Sequence, residues 1–331
     1  MNDQEQCALT INNLTVGFHT GEGVFPAVDG VSWNVMKNEI VALVGESGSG
    51  KTVSCLSMLG LIPSAKVSGS VRFLDKELVG LPQKELQAIR GRDIGFVFQE
   101  PMTSLDPVFT VGSQMDETMR AHTALGRAAR RERGLKLFEM VGIPEPEKRY
   151  RCYPFELSGG MKQRVMIAMA LCCDPALLIA DEPTTALDVT IQAQVLSLLK
   201  GLQKQFGMSI IIISHDLGVV ANFAHRVVVM YAGKIIEQGA TQKVLHHPQH
   251  PYTKGLLASM PNLNTDKGSR LNVIPGSIPD LAGMPKGCRF SPRCADAIAC
   301  CKTLEPPEIF GEDNSMARCW QYVQKEGGSR L

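Results

Sequence analysis

In the stretch "EIVALVGESGSGKTVSCLSMLGLI", residues Gly45 to Thr52 combine bare backbone, one lysine and one hydroxyl in a fixed order. Gly45, Gly50, Lys51 and Thr52 satisfy the spacing G-x-x-x-x-G-K-[ST], and Ser47, Gly48 and Ser49 fill the loop between them. Glycine lets the backbone wrap closely round an anion, and amides at the start of a helix point their N–H groups at it. A lysine in that place adds charge at the β- and γ-phosphates of a nucleotide, and a threonine hydroxyl suits Mg2+. The loop is thus equipped to hold a nucleoside triphosphate with its Mg2+.

Other apolar runs end in polar groups that could serve the same ligand. "PALLIADEP" delivers Asp181 and Glu182 after the run Ala176 to Ala180. Strand ends of an open parallel sheet line its ligand crevice, which would put Asp181 in reach of Mg2+ and leave Glu182 to polarise a water against the γ-phosphate. "SIIIISHD" ends in His215, whose imidazole N–H could hold the γ-phosphate or the attacking water, and then Asp216. "DIGFVFQEP" ends at Gln99, a neutral group suited to Mg2+ or water. Together these residues imply a nucleotide hydrolase. Farther along, Ser158, Gly159 and Gly160 precede a helix with Val165, Ala168, Met169 and Cys172 on one face, stopped before Pro175. A glycine-opened helix start is a second anion site, and two unlike anion sites imply two nucleotides shared between two such domains.

The elements that must position these groups are a short strand over Ile40 to Val44, a helix over Thr52 to Leu61, and the strands just named. The chain has 331 residues, 44% hydrophobic and 20% charged, which suits one large domain plus an appendage, or two domains. No run approaches the about 20 apolar residues that cross a bilayer. The polar, acidic start "MNDQEQCALTINN" lacks the features of a signal peptide, so a cytosolic protein is expected. A net charge of +1 argues against nucleic acid as partner, and "RAARRERGLK" (Arg127 to Lys136) reads as a solvated helix face. Ten cysteines in a reducing compartment are not expected to form lasting disulfides.

"LSGGMKQR" resembles the signature motif of ATP-binding-cassette (ABC) ATPases, and the other motifs fall in that family's order over roughly residues 8 to 245. The resemblance places Lys51 and Thr52 in the Walker A loop, Gln99 in the Q-loop, and Asp181 and Glu182 in Walker B. "TALD" with Asp188 matches the D-loop, and His215 the switch histidine. It implies an α/β fold, a P-loop NTPase cassette with a RecA-like parallel-sheet core, an antiparallel β layer and an inserted helical subdomain at roughly residues 100–165. It also gives Phe18 the place of the aromatic that stacks on adenine, and implies head-to-tail closure of two cassettes that gates hydrolysis. Residues 1–265 would be the nucleotide-binding domain and 266–331 a small cysteine-containing extension.

"HPQHPYTKGLLASMP", "PGSIPD" and "GCRFSPRC" resemble the C-terminal extension of ATPases from oligopeptide and dipeptide importers. That likeness implies a peripheral ATP-hydrolysing subunit on the cytoplasmic face of the inner membrane. Its partners would be a second, paralogous ATPase, two transmembrane permease subunits and an extracytoplasmic solute-binding protein, with no nucleic acid. The loop including Thr103 to Asp106 would help form the groove for a permease coupling helix. Peptide is the leading cargo; nickel, glutathione or another small solute is the alternative, and a soluble ABC ATPase of DNA repair or translation the rival. Cys7, Cys55, Cys152, Cys172 and Cys173 read as small buried hydrophobes. In "GCRFSPRCADAIACC", four readings stand open: a disulfide knot, unpaired buried thiols, zinc, or an iron–sulfur site. Likeness to dipeptide-importer relatives implies a [4Fe–4S] cluster on Cys288, Cys294, Cys301 and Cys319, with Zn2+ the alternative and Cys300 a bystander. The extension is expected to stand apart from ATP chemistry.

Overall fold

A computed structural model describes residues 6–21, 23–185, 188–260, 273–280 and 283–323. In chain order its strands are β1 (Cys7–Thr20), β2 (Gly23–Met36), β3 (Ile40–Val44), β4 (Ala65–Phe73), β5 (Lys76–Glu77) and β6 (Ile94–Val97). Then follow β7 (Leu177–Asp181), β8 (Ser209–Ser214), β9 (Arg226–Tyr231), β10 (Lys234–Ala240), β11 (Ile309–Phe310) and β12 (Met316–Ala317). The chain divides into two units, one of residues Met1–Ala8, Val35–Ile40 and Gly80–Ile213, the other of Leu9–Asn34, Val41–Val79 and Ser214–Leu331.

In the first unit, β6, β7 and β8 lie parallel in that order, with Ile94 opposite Leu177 and Leu177 opposite Ser209. Every residue of β7 and β8 is buried, the unbroken apolar run that a sheet covered on both faces requires. Between β6 and β7 come helices over Pro101–Ser104, Val111–His122, Arg127–Met140, Pro146–Arg149 and Gly159–Ala170. Phe138 packs edge-on against Tyr150, ring centroids 5.5 Å apart, in the core of this helical stretch. The basic run lies on the Arg127–Met140 helix, where acids answer it: Arg130 pairs with Asp116 at 2.7 Å and Arg133 with Asp174 at 2.5 Å.

In the second unit, an antiparallel sheet has the order β2-β1-β4-β5, with a register shift in β1 between Asn12 and Thr15. A second set of strands runs β11-β12-β10-β9-β3. Here β3 is parallel to β9, and β9 turns into β10 through Ala232 and Gly233 alone. Both turn residues have positive φ, 46° and 81°, as a two-residue hairpin demands. The C-terminal part of the chain joins this sheet through β12, which pairs with β10 (Ala317 opposite Glu237) and carries β11 on its other side.

Candidate functional site

The phosphate loop lies in the second unit, between the buried β3 and a helix over Lys51–Met58, three residues shorter at its far end than the spacing predicts. A side chain at Gly45 would meet the Met230 carbonyl oxygen at 2.2 Å, so glycine is the residue that fits beside β9. Gly50 caps the helix at φ 98°, with no side chain on the first amides. Lys51 is buried. Its ammonium donates to the carbonyl oxygens of Gly45 at 2.7 Å and Glu46 at 2.8 Å, and to Ser49 Oγ at 3.3 Å. Three acceptors drawn from the loop itself hold the charge in the middle of the curve. Ser47 and Gly48 are exposed at its crest, Ser49 is buried, and Thr52 is half-buried at the second position of the helix.

Two other predicted residues belong to this unit. Phe18, on β1 opposite Ala65, is half-buried, which leaves part of its ring for a ligand. His215 follows β8 and is exposed. Asp216 is fixed next to it: its Oδ1 accepts from the Gly218 amide at 2.7 Å and caps the short Leu217–Val220 helix.

The first unit brings Gln99 and Glu182 together. Gln99 Nε2 donates to Glu182 Oε2 at 3.1 Å, and Thr185 Oγ1 donates to the same oxygen at 2.7 Å. Glu182 has the left-handed φ of 44°, which turns the chain as β7 ends, while Asp181 one residue earlier is buried. β6 stops at Val97, so Gln99 is carried on exposed chain beyond the strand and not at its last residue. Asp188 is exposed at the start of the helix Val189–Phe206 and its carbonyl accepts from the Gln192 amide at 2.9 Å.

Ser158 caps the Gly159–Ala170 helix by accepting from the Met161 amide at 3.3 Å. Ser158 and Gly159 are exposed, and nothing lies within 4 Å of where a Gly159 side chain would start. The single apolar face expected for this helix needs correction. Met166 and Ile167 are buried along with Val165 and Ala168, Met169 is only half-buried, and Cys172 lies past the end of the helix. Helices Pro101–Ser104, Val111–His122 and Arg127–Met140 and strand β6 all pack on it, so burial runs most of the way round.

The cysteine-rich module bears on two further expectations. Burial and the neighbouring thiols push Cys288 and Cys294 up to about 11, and burial raises Cys319 as well. Among the described residues no group of three or more His, Cys, Asp or Glu side chains is placed to hold a metal ion. The [4Fe–4S] or Zn2+ site expected on Cys288, Cys294, Cys301 and Cys319 is thus not shown among the described residues. No disulfide joins any of the ten cysteines; Cys55 and Cys172 are buried as expected, whereas Cys7, Cys152 and Cys173 are only partly so.

The second is that the extension stands apart from ATP chemistry, and here the extension touches the phosphate loop. Arg293 pairs with Glu46 inside the phosphate loop, Nη1 at 2.6 Å and Nη2 at 3.0 Å. The Tyr252 hydroxyl accepts from the Glu46 amide at 2.8 Å. Glu46, Tyr252, Arg289 and Arg293 were all missed as functional residues from sequence. The one available signal was two arginines four apart, each beside a cysteine, in a segment otherwise poor in charge.

Residues 28–185 match the protein family described as "ABC transporter", and residues 236–301 match "Oligopeptide/dipeptide transporter, C-terminal region". The dipeptide transport ATP-binding protein DppD of Bacillus subtilis is 48% identical over 320 residues, spanning 96% of this chain and 95% of that protein. The oligopeptide transport ATP-binding protein OppD of the same organism is 49% identical over 315 residues, 94% of this chain and 88% of that one. Among solved structures, the dimeric post-hydrolysis state of the ATP-binding cassette MJ0796 bound to ADP and Pi has a TM-score of 0.64 and 30% identity. It covers 70% of this chain and 98% of that one. A second neighbour, cbiO1 from Clostridium perfringens, part of an ABC transporter complex, has a TM-score of 0.62 at 28% identity over 73% of this chain and 92% of that one. The α/β fold expected from the sequence is the fold of these neighbours.

Proposed function

From the premise that the chain belongs to the ABC transporter family of ATP-binding proteins, we propose that it powers a membrane importer of di- and oligopeptides. It is an ABC-type ATPase. The observation that carries the peptide reading is the match of residues 236–301 to the oligopeptide/dipeptide transporter C-terminal region. The dipeptide and oligopeptide transport roles printed for the two Bacillus subtilis relatives agree with it.

In this reading residues 1–265 bind and hydrolyse ATP, with a helical part at roughly 100–165, and residues 266–331 form the extension. Lys51 and the amides of the Gly45–Thr52 loop hold the phosphates, and the half-buried Phe18 ring stacks on adenine. Thr52, Gln99 and Asp181 offer hydroxyl, amide and carboxylate oxygens, the hard donors that suit Mg2+, which when bound neutralises phosphate charge. Glu182 takes the proton of the attacking water, Gln99 orients its carboxylate, and His215 holds the γ-phosphate. Ser158, Gly159 and Gly160 serve the nucleotide of a second ATPase subunit, with Asp188 in the adjoining D-loop, and closure of the pair gates hydrolysis.

No helix among the described residues is long and apolar enough to cross a membrane. In this reading the chain works peripherally, on the cytoplasmic face, with two permease subunits, a paralogous ATPase and a solute-binding protein, as its likeness to importer ATPases suggests. Reconstitution of that assembly in liposomes tests the reading. Labelled dipeptide should accumulate with ATP and stimulate its hydrolysis; stimulation by nickel or glutathione but not by peptide would overturn the cargo.

A further inference from the structure

Arg293 belongs to the turn between Cys288 and Cys294, far along the chain from the phosphate loop, yet its side chain is only 5% exposed. Its guanidinium grips both carboxylate oxygens of Glu46 in the bidentate geometry that gives such pairs direction as well as strength. The remaining N–H groups are used too. Nε donates to the Pro275 carbonyl at 2.8 Å, Nη2 also to Ile274 at 3.3 Å, and Nη1 lies 3.5 Å from the Tyr231 hydroxyl.

Glu46 is the first residue after Gly45, and each of its polar groups is committed: the amide to Tyr252, the carbonyl to Lys51, the carboxylate to Arg293. A second strut comes from the same turn. Arg289 pairs with Asp29 and donates to the Ala232 carbonyl of the β9–β10 hairpin. The next hairpin residue, Gly233, donates its amide to Ser49 at 2.8 Å and accepts from the Asp29 amide at 2.9 Å. One face of the loop is thus tied at Glu46 directly to Arg293, and the other at Ser49 to the hairpin that Arg289 holds. A phosphate loop binds through amides already aimed at the anion, so whatever fixes its curve raises affinity without touching the ligand.

The geometry points to Arg293, seconded by Arg289, as a positioning residue for ATP: the cysteine-rich turn is a brace that holds the phosphate loop in its binding shape. This rests on the reading of Gly45 to Thr52 as the ATP site. The test is titration of the full chain with ATP and Mg2+ for wild type and the variants Arg293→Gln, Glu46→Gln, their combination, Arg293→Lys, Asp313→Asn and Lys51→Ala. Hydrogen exchange of the loop amides is followed in parallel.

Either single brace variant should raise Kd about tenfold, and the double variant no further than the worse single, because both remove one coupled contact. Arg293→Lys should recover part of the loss, and exchange at residues 46–50 should quicken in Glu46→Gln. Asp313 ties the extension elsewhere, to Lys243 at 2.7 Å, so Asp313→Asn should leave Kd alone. Two results would overturn the brace while leaving the ATP site standing. One is a folded Glu46→Gln with unchanged Kd and unchanged exchange, in a protein whose affinity Lys51→Ala abolishes. The other is an equal loss in Asp313→Asn, which marks general loosening. Wild type that binds ATP no better than Lys51→Ala would instead sink the site, and the brace with it.

Discussion

Gly50 and Gly159 both stand at helix starts, but the two starts are built on opposite plans. At Gly50 the loop is buried around Lys51, pinned at Glu46 by Tyr252 and Arg293 and at Ser49 by Gly233. At Gly159 there is one local tie, the Ser158 cap, and open space around the glycine. The difference teaches which start can hold a ligand unaided. A braced loop supplies fixed dipoles and a charge at little cost in ordering; an open start contributes its helix dipole to something brought by another molecule.

The largest test of this contrast is Lys51→Ala, which should abolish ATP binding and lower phosphate release by about a thousandfold, the scale for losing a preorganised charged donor. A variant that still binds ATP tightly would break the comparison at once. Next comes Glu182→Gln, which keeps ATP binding while phosphate release in the assembled complex falls by roughly 100-fold. Size-exclusion chromatography with ATP should then show a trapped dimer of ATPase subunits. Undiminished hydrolysis would take Glu182 out of its role.

Gly159→Asp should cost less and split two readouts. The carboxylate has room and favours the helix start, so the isolated chain should melt no earlier and bind ATP unchanged. Hydrolysis by the assembled pair should fall about tenfold, since the new charge repels the partner's phosphates; a loss of ATP binding in the isolated chain would instead make Gly159 part of its own site.

The last test is a pH dependence on the braced side, read in stability and not in activity. His250 caps the Pro251–Ala258 helix through Nδ1 at 3.1 Å from the Tyr252 amide, and complete burial drops it to about 3. Because the unfolded imidazole takes up its proton near 6.5, the stability this neutral cap provides is full above that value and is lost as pH falls toward 3. Lowering pH from 7 to 5 should cost about 2 kcal/mol in urea unfolding. Burial raises Glu237, whose carboxylate accepts from the His250 and Gln249 amides, and this opposes the trend at the acid end of the window. His250→Asn keeps a cap acceptor and should flatten the slope; an unchanged slope would place the titration elsewhere.

Much of this was legible in the sequence because the motifs are local. The run Ile40 to Val44 with Gly45 to Thr52 is strand, loop and helix in one continuous segment, and Asp181 with Glu182 follows an apolar strand whose end announces the site. What stayed hidden depends on separation along the chain. Glu46 and Arg293 are 247 residues apart, and nothing in either neighbourhood says that they meet. The signature helix misled for a related reason: a 3.6-residue pattern reports one buried face, and four separate elements cover this helix. The cysteines invited a metal because spacing shows how many thiols there are, while only the fold shows how they are placed.

The pairing of β12 with β10 carries a further consequence for how this chain survives in a crowded cell. A strand edge left uncovered is a template for another molecule's backbone, and β10 would offer such a row of amides and carbonyls. Here the chain covers that row with β12 and ends the sheet in β11, two residues long, too short to recruit a stranger. Translation that stops before Ile309 would leave the edge bare, so the truncated product should self-associate and be cleared by proteolysis before its ATP site is ever used.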